Sequence, residues 1–121
     1  MTTGLDDKFG SAWGDYDNDG DLDLFAARYD SGSTGQLWRN NGSTFTNVTA
    51  AAFVNNIAGQ RGGCWGDYDN DGDLDLYLVT RAGGNALYRN NNDSTFTLVN
   101  ENAAATGNNH DGVFVDYDND G

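Results

Sequence analysis

The sequence predicts an all-β fold made of short antiparallel strands in repeated four-stranded units, and three features of its 121 residues support this. Seventeen Gly residues, no Pro and many Asn, Ser and Thr residues indicate frequent turns. No window places apolar residues at helical spacing, so long helices are not expected. The third feature is an internal repeat, because the stretch "GDYDNDGDLDL" at 14–24 recurs at 66–76.

The repeat has a period of about 50 residues, as in the repeat architectures built from one supersecondary unit. Length differences fall in turns, where "RNNNDST" of the second copy replaces "RNNGST" of the first. Asn and Gly accept a left-handed backbone cheaply, so both segments are predicted to be hairpin turns. Each copy is predicted to form four strands, at 11–15, 22–28, 36–39 and 44–48, and then at 63–67, 74–81, 86–89 and 95–99.

The second strand of each copy is apolar on both faces, which predicts a sheet with neighbours on both sides. Four-stranded units stacked face to face describe the blades of a β-propeller. We assign 1–61 to a first blade, 62–109 to a second blade, and 110–121 to the first strand and truncated loop of a third. A closed propeller has about 4–8 blades. The chain is therefore expected to belong to a longer protein or to form a homo-oligomer that completes a propeller.

The composition is strongly acidic, with 19 acidic residues, 6 basic residues and a formal net charge of −13. Nucleic acid is disfavoured as a partner because its phosphates need Lys and Arg, and anionic membranes are disfavoured for the same reason. No apolar run is long enough for membrane insertion. The N-terminal stretch lacks the basic and apolar regions of a signal peptide. Cys64 is the only cysteine, so no intrachain disulfide can form, and it is predicted to be an inert buried thiol.

Thirteen of the 19 acidic residues lie in three short loops, which we call the first (15–23), second (67–75) and third (116–121) Asp loops. Alternate Asp side chains in D-x-D-x-D-G can turn toward one point, and the Gly permits the tight turn. The first three Asp residues are predicted to supply carboxylates, the fourth a backbone carbonyl, and the fifth to close the site. Asn18 and Asn70 are predicted to point outward. The candidate metal-binding residues are Asp15, Asp17, Asp19, Asp21, Asp23, Asp67, Asp69, Asp71, Asp73, Asp75, Asp116, Asp118 and Asp120.

Ca²⁺ fits this pattern better than other ions. It accepts about 6–8 oxygen ligands in irregular geometry, whereas Mg²⁺ prefers few carboxylates plus water and Zn²⁺ needs His or Cys. An EF-hand would require Glu at loop position 12 and flanking helices, but Ala26 and Leu78 stand there. The alternative is an acidic turn without metal. If Ca²⁺ binds, folding is expected to depend on it, because the metal-free loops repel themselves.

The segments "AWGDYDNDGDLDLF" and "CWGDYDNDGDLDLY", followed by "LWRNNGSTFT" and "LYRNNNDSTFT", resemble FG-GAP/VCBS repeats. These repeats are the blades of integrin-α-like β-propellers, including extracellular ASPIC or cartilage acidic protein-like domains. The resemblance implies Ca²⁺ between the first two strands of each blade and an extracellular or cell-surface location. The third Asp loop departs from the pattern because its closing Asp is missing, so another segment would have to complete it.

The leading functional hypothesis is a non-enzymatic segment with structural Ca²⁺ that serves extracellular adhesion or protein recognition. No nucleophile–base pair or phosphate-binding loop is visible. A lectin-like, carbohydrate-binding propeller is the alternative, with Trp38 and Tyr88 as candidates for stacking on a glycan ligand. A non-catalytic part of a polysaccharide-active enzyme also remains open. Trp13 and Trp65 are predicted to pack in the core.

Overall fold

A computed structural model describes residues 8–28, 34–52, 59–81, 84–100 and 112–115. These residues form two four-stranded antiparallel sheets and one short helix, α1 (Thr49–Ala52). The strands of the first sheet are β1 (Lys8–Gly14), β2 (Asp23–Arg28), β3 (Gln36–Asn40) and β4 (Phe45–Asn47). Those of the second are β5 (Gln60–Gly66), β6 (Asp75–Thr80), β7 (Ala86–Asn90) and β8 (Phe96–Asn100).

Both sheets follow the chain order, β1-β2-β3-β4 and β5-β6-β7-β8, with every neighbouring pair antiparallel. The all-β prediction and the four strands of each copy are confirmed. The sheets agree with propeller blades, and within the described ranges they do not close into a barrel. β1 and β5 begin three residues before their predicted starts. Gly-rich segments such as "RGG" carry little strand propensity, which explains why the sequence pattern missed them.

The two sheets pack face to face around one hydrophobic core. Tyr16, Phe25 and Leu37 of the first unit meet Leu76 and Phe96 of the second in a single buried cluster. β6 is buried on both faces, as predicted from its apolar residues on both sides of the strand. Three of its apolar side chains are at most 1% exposed. The first Asp loop therefore packs, through Tyr16, against a hydrophobic core that both sheets share.

Trp65 joins the two sheets, which confirms its predicted core position. Its ring stacks on Tyr16 with centroids 6.1 Å apart and an interplanar angle of 13°. Its indole Nε1–H donates to the carbonyl oxygen of Ala12 at 3.2 Å. A Cβ on Gly14 would lie 2.7 Å from the Trp65 ring, so only glycine permits this approach.

The corresponding prediction for Trp13 is wrong, because Trp13 is 55% exposed. Its one described ring contact is an edge contact with Phe45, whose centroid lies 6.3 Å away. Since the equivalent Trp65 faces the first sheet, Trp13 lies on the face of the first sheet that points away from the second. Cys64, which was predicted to be a buried thiol, is only partly buried.

Residues 112–115 belong to no strand, yet Phe114 repeats the packing of Trp65. Its ring makes an edge contact with Tyr77 at 6.2 Å, and a Cβ on Gly66 would lie 2.4 Å from it. Phe114 therefore stands against the second sheet as Trp65 stands against the first. The predicted third-loop acids Asp116, Asp118 and Asp120 lie outside the described residues, and the domain boundaries stay predictions. No helix in the described part of the chain is long and apolar enough to cross a membrane.

Candidate metal centres

Each complete Asp loop gathers three carboxylates at one point. In both loops each of three Asp residues offers one oxygen, and these oxygens lie within 4.8 Å of one another. Carboxylates held this close repel one another strongly unless a cation lies between them. Clustered carboxylate oxygens are the ligands that hard divalent cations prefer, so each triplet can hold a metal ion. The triplets are Asp15, Asp17 and Asp19, and Asp67, Asp69 and Asp71.

The first Asp of each loop fixes the turn. Asp15 accepts the backbone N–H of Asp19 through Oδ1 at 3.1 Å and that of Gly20 through Oδ2 at 2.9 Å. Asp67 accepts the equivalent pair of N–H groups in the second loop, at 3.1 and 2.8 Å. Gly20 has a φ of +95°, a conformation that L side chains rarely adopt. The local sequence therefore preorganises both triplets in the same way.

The fifth Asp of each loop ties the loop to the hairpin that follows. Asp23 accepts the N–H of Tyr16 through Oδ2 at 3.1 Å and that of Asn40 through Oδ1 at 2.8 Å. Asp75 accepts the corresponding N–H groups of Tyr68 and Asn90 at 2.9 and 2.8 Å. Both carboxylates are fully buried. They lie outside the two triplets, although each oxygen keeps a second lone pair.

The fourth Asp of each loop also lies outside the triplets. The backbone N–H of Asp21 donates to Asp19 Oδ1 at 2.9 Å, and Asp73 repeats this bond with Asp71. The Asp73 carboxylate accepts the side-chain N–H of Asn18 at 2.7 Å, across the two sheets. Asn18 is exposed, in agreement with the prediction that it points outward, and its amide also contacts the second Asp loop, which was not predicted.

Sequence reasoning missed the first Asn of the "RNN" segments. Asn40 donates its amide to the carbonyl of Leu22 at 3.2 Å, while its own Oδ1 accepts the N–H of Gly42 at 3.0 Å. Asn90 does the same with Leu74 and Asn92. Each Asn therefore holds the Asp loop and the hairpin turn together. The available signal was the recurrence of "RNN" in both copies, which we interpreted only as a turn.

Asn90 also links the two sheets, because its amide donates to the carbonyl oxygen of Tyr16 at 2.7 Å. This bond and the bond from Asn18 to Asp73 start from opposite sides of the contact between the sheets. The first Asp loop is therefore both a candidate metal centre and a docking element for the second sheet.

The electrostatics of the first loop fit a cation. Asp17 Oδ1 is buried and has no hydrogen-bond partner among the described residues. Burial, followed by repulsion from Asp19, raises the pKa of Asp17. Burial likewise raises the pKa of Asp23 and of Asp75, although backbone N–H groups oppose the shift. Burial and the nearby Asp17 raise the pKa of Tyr16 to about 12. Negative charge is thus disfavoured here without a counter-ion, and a bound cation would relieve that penalty.

A family model described as an FG-GAP-like repeat matches residues 15–78 and again residues 67–121. The chain belongs to this family. The two FG-GAP-like matches overlap at the second Asp loop and together cover nearly the whole sequence, which confirms the resemblance seen in the motifs. Neither the curated proteins nor the solved structures contain a match to the chain.

Proposed function

We propose that this chain is a calcium-binding segment of an FG-GAP-like β-propeller, with structural Ca²⁺ in its Asp loops. The observation that carries the proposal is the orphaned, buried Asp17 Oδ1 within a triplet of converging carboxylates. A buried acceptor without a donor is rare in folded proteins and points to an ion or water. In each loop the three carboxylates of the triplet would hold the ion, with the fourth and fifth Asp residues in the supporting roles predicted from the sequence.

Ca²⁺ is the preferred ion because the ligand set is oxygen only, rich in carboxylates and mounted on an irregular loop. When bound, the ion supplies positive charge that neutralises the carboxylates. Two such ions add four positive charges to a chain whose formal charge is −13. Because the loops connect β1 to β2 and β5 to β6, neutralising them stabilises the sheets themselves. The proposal extends to the third Asp loop, if a further segment completes it.

The proposed role is extracellular adhesion or protein recognition, without catalysis. Millimolar extracellular Ca²⁺ would saturate even weak sites, which suits a structural ion. The family membership supports this setting by analogy, and the partner is a protein or glycan of unknown identity. In the alternative of a glycan-binding propeller, Tyr88 cannot stack on a sugar, because it is fully buried.

Native mass spectrometry and thermal unfolding test the proposal together. From calcium-containing buffer we expect at least two Ca²⁺ per chain, and a large drop in Tm after chelation. Replacing Asp17 and Asp19 by Asn should remove one ion, as should replacing Asp69 and Asp71.

Glu101→Gln is the matched control, because Glu101 is an acidic residue outside the three Asp loops and outside the turns of both sheets in the sequence. It should leave the ion count unchanged. A protein without bound Ca²⁺ and with the same Tm in excess chelator would contradict the proposed function.

A further inference from the structure

A cleft separates the first Asp loop from the turn between β7 and β8. It has a volume of about 80 Å³ and is lined by Tyr16 and Asp17 on one side and by Asn90, Asn92 and Ser94 on the other. Asp17 belongs to the first carboxylate triplet. The second sheet therefore provides one wall of a space that adjoins the first candidate metal centre.

Two residues of the loop side carry oxygens that lack a partner. The Tyr16 side chain is 2% exposed, and its hydroxyl makes no hydrogen bond among the described residues. Asp17 Oδ1 is the second such atom. A cleft of this size admits water, and water can connect polar groups that do not touch directly.

The conformation of the β7–β8 turn does not require the side chain of Asn92. Asn92 occupies the position that Gly42 has in the turn between β3 and β4. Each donates its backbone N–H to the side-chain oxygen of the Asn two residues earlier, Asn90 or Asn40. Both also have a left-handed backbone, with φ of +56° and +79°. Because Gly42 performs this backbone role without a side chain, the Asn92 amide is not needed for it.

Ser94 adds a second unexplained side chain to the same wall. Its φ of +68° is unfavourable for a residue other than Gly, Asn or Asp. Such strain persists where the surroundings or a function maintain it. Asn92 and Ser94 therefore line the cleft at two positions whose left-handed backbone glycine would also accept.

We propose that the β7–β8 turn is part of the first metal site. Asn92 and Ser94 hold water molecules that complete the ligand shell of the ion at Asp15, Asp17 and Asp19, so this site spans both sheets. The inference rests on the proposed function. It makes the two Asp loops unequal despite their identical sequence, because the second loop has no such turn beside it in the described part of the chain. By linkage, the ion in the first loop also strengthens the contact between the sheets.

The test measures Ca²⁺ affinity by isothermal titration calorimetry in two backgrounds of the full chain. Asp69→Asn with Asp71→Asn leaves only the first loop, and Asp17→Asn with Asp19→Asn leaves only the second. Each background then receives Asn92→Gly and Ser94→Gly together, since glycine suits the left-handed backbone of both positions. Removing outer-shell partners typically weakens metal binding by about 10–100-fold. We expect about a ten-fold loss in the first-loop protein and none in the second-loop protein.

Ser43→Gly, in the exposed turn of the first sheet, is the matched control and should change neither affinity. Asn92→Gly alone copies the first turn, so it provides a conservative variant if the double replacement does not fold. An unchanged affinity of the first-loop protein for Ca²⁺ would overturn the inference and leave the proposed function standing. Absence of Ca²⁺ binding in both backgrounds would overturn the proposed function instead.

Discussion

Residues 14–24 and 66–76 have the same sequence, and the structure uses them in different ways. Inside the loops the hydrogen bonds are equivalent, from the N–H groups received by Asp15 and Asp67 to those received by Asp23 and Asp75. Outside the loops they differ. Tyr16 is 2% exposed, whereas its counterpart Tyr68 is 38% exposed.

The neighbouring sheet causes this difference. Tyr16 lies against the rings of Trp65 and Phe96, with centroids 6.1 and 5.8 Å away. In the described part of the chain no aromatic ring packs on Tyr68. Local sequence therefore determines how an Asp loop is hydrogen-bonded, and the adjacent blade determines how deeply the loop is buried. The following repeat therefore supplies part of the environment of the first Asp loop.

The largest expected effect on stability comes from replacing the tyrosine of each Asp loop, because only the first of the two is buried. Tyr16→Ala should lower the free energy of unfolding by about 3–5 kcal/mol, as for other large aromatic residues truncated in a core. Tyr68→Ala should cost less than about 1 kcal/mol, because surface replacements are usually mild. Urea denaturation in saturating calcium measures both variants. Equal costs for Tyr16→Ala and Tyr68→Ala would show that the second sheet does not stabilise the first loop.

The next prediction tests whether the fifth Asp contributes equally to stability in the two Asp loops. Asp23→Ala and Asp75→Ala each leave two buried N–H groups without an acceptor. Each such group lowers the free energy of unfolding by about 1–3 kcal/mol. Part of this cost is offset because a buried negative charge is also removed. We expect a net loss of about 1–3 kcal/mol, similar in the two variants. Urea denaturation in metal-free buffer with trimethylamine oxide, which favours the compact state, excludes any contribution from the ion. Costs that differ by more than about 1 kcal/mol would indicate that the loops differ internally.

The sequence allowed much of this arrangement to be predicted. Continuous apolar runs located β2 and β6, and the spacing of acids located both carboxylate triplets, because these features depend on near neighbours in the chain. The exposure of Trp13 could not be predicted, since it depends on which face of the first sheet meets the second. The roles of Asn40 and Asn90 were also missed, because a turn residue and a residue that holds a loop have the same local signature.

The contact between Asn18 and Asp73 could not be predicted from local sequence. It joins residues 55 positions apart and depends on how the two sheets are placed relative to each other. It also offers the smallest expected effect. In a double-mutant cycle of Asn18→Gly and Asp73→Ala, we expect a coupling energy of about 1 kcal/mol, typical of a partly buried hydrogen bond. Glycine keeps the left-handed backbone of Asn18, whose φ is +58°, and the cycle cancels its effect on the unfolded chain. Additive costs, measured by urea denaturation in saturating calcium, would mean that the bond does not hold the sheets together. Measurable coupling would show that the outward face of one Asp loop helps to position the next.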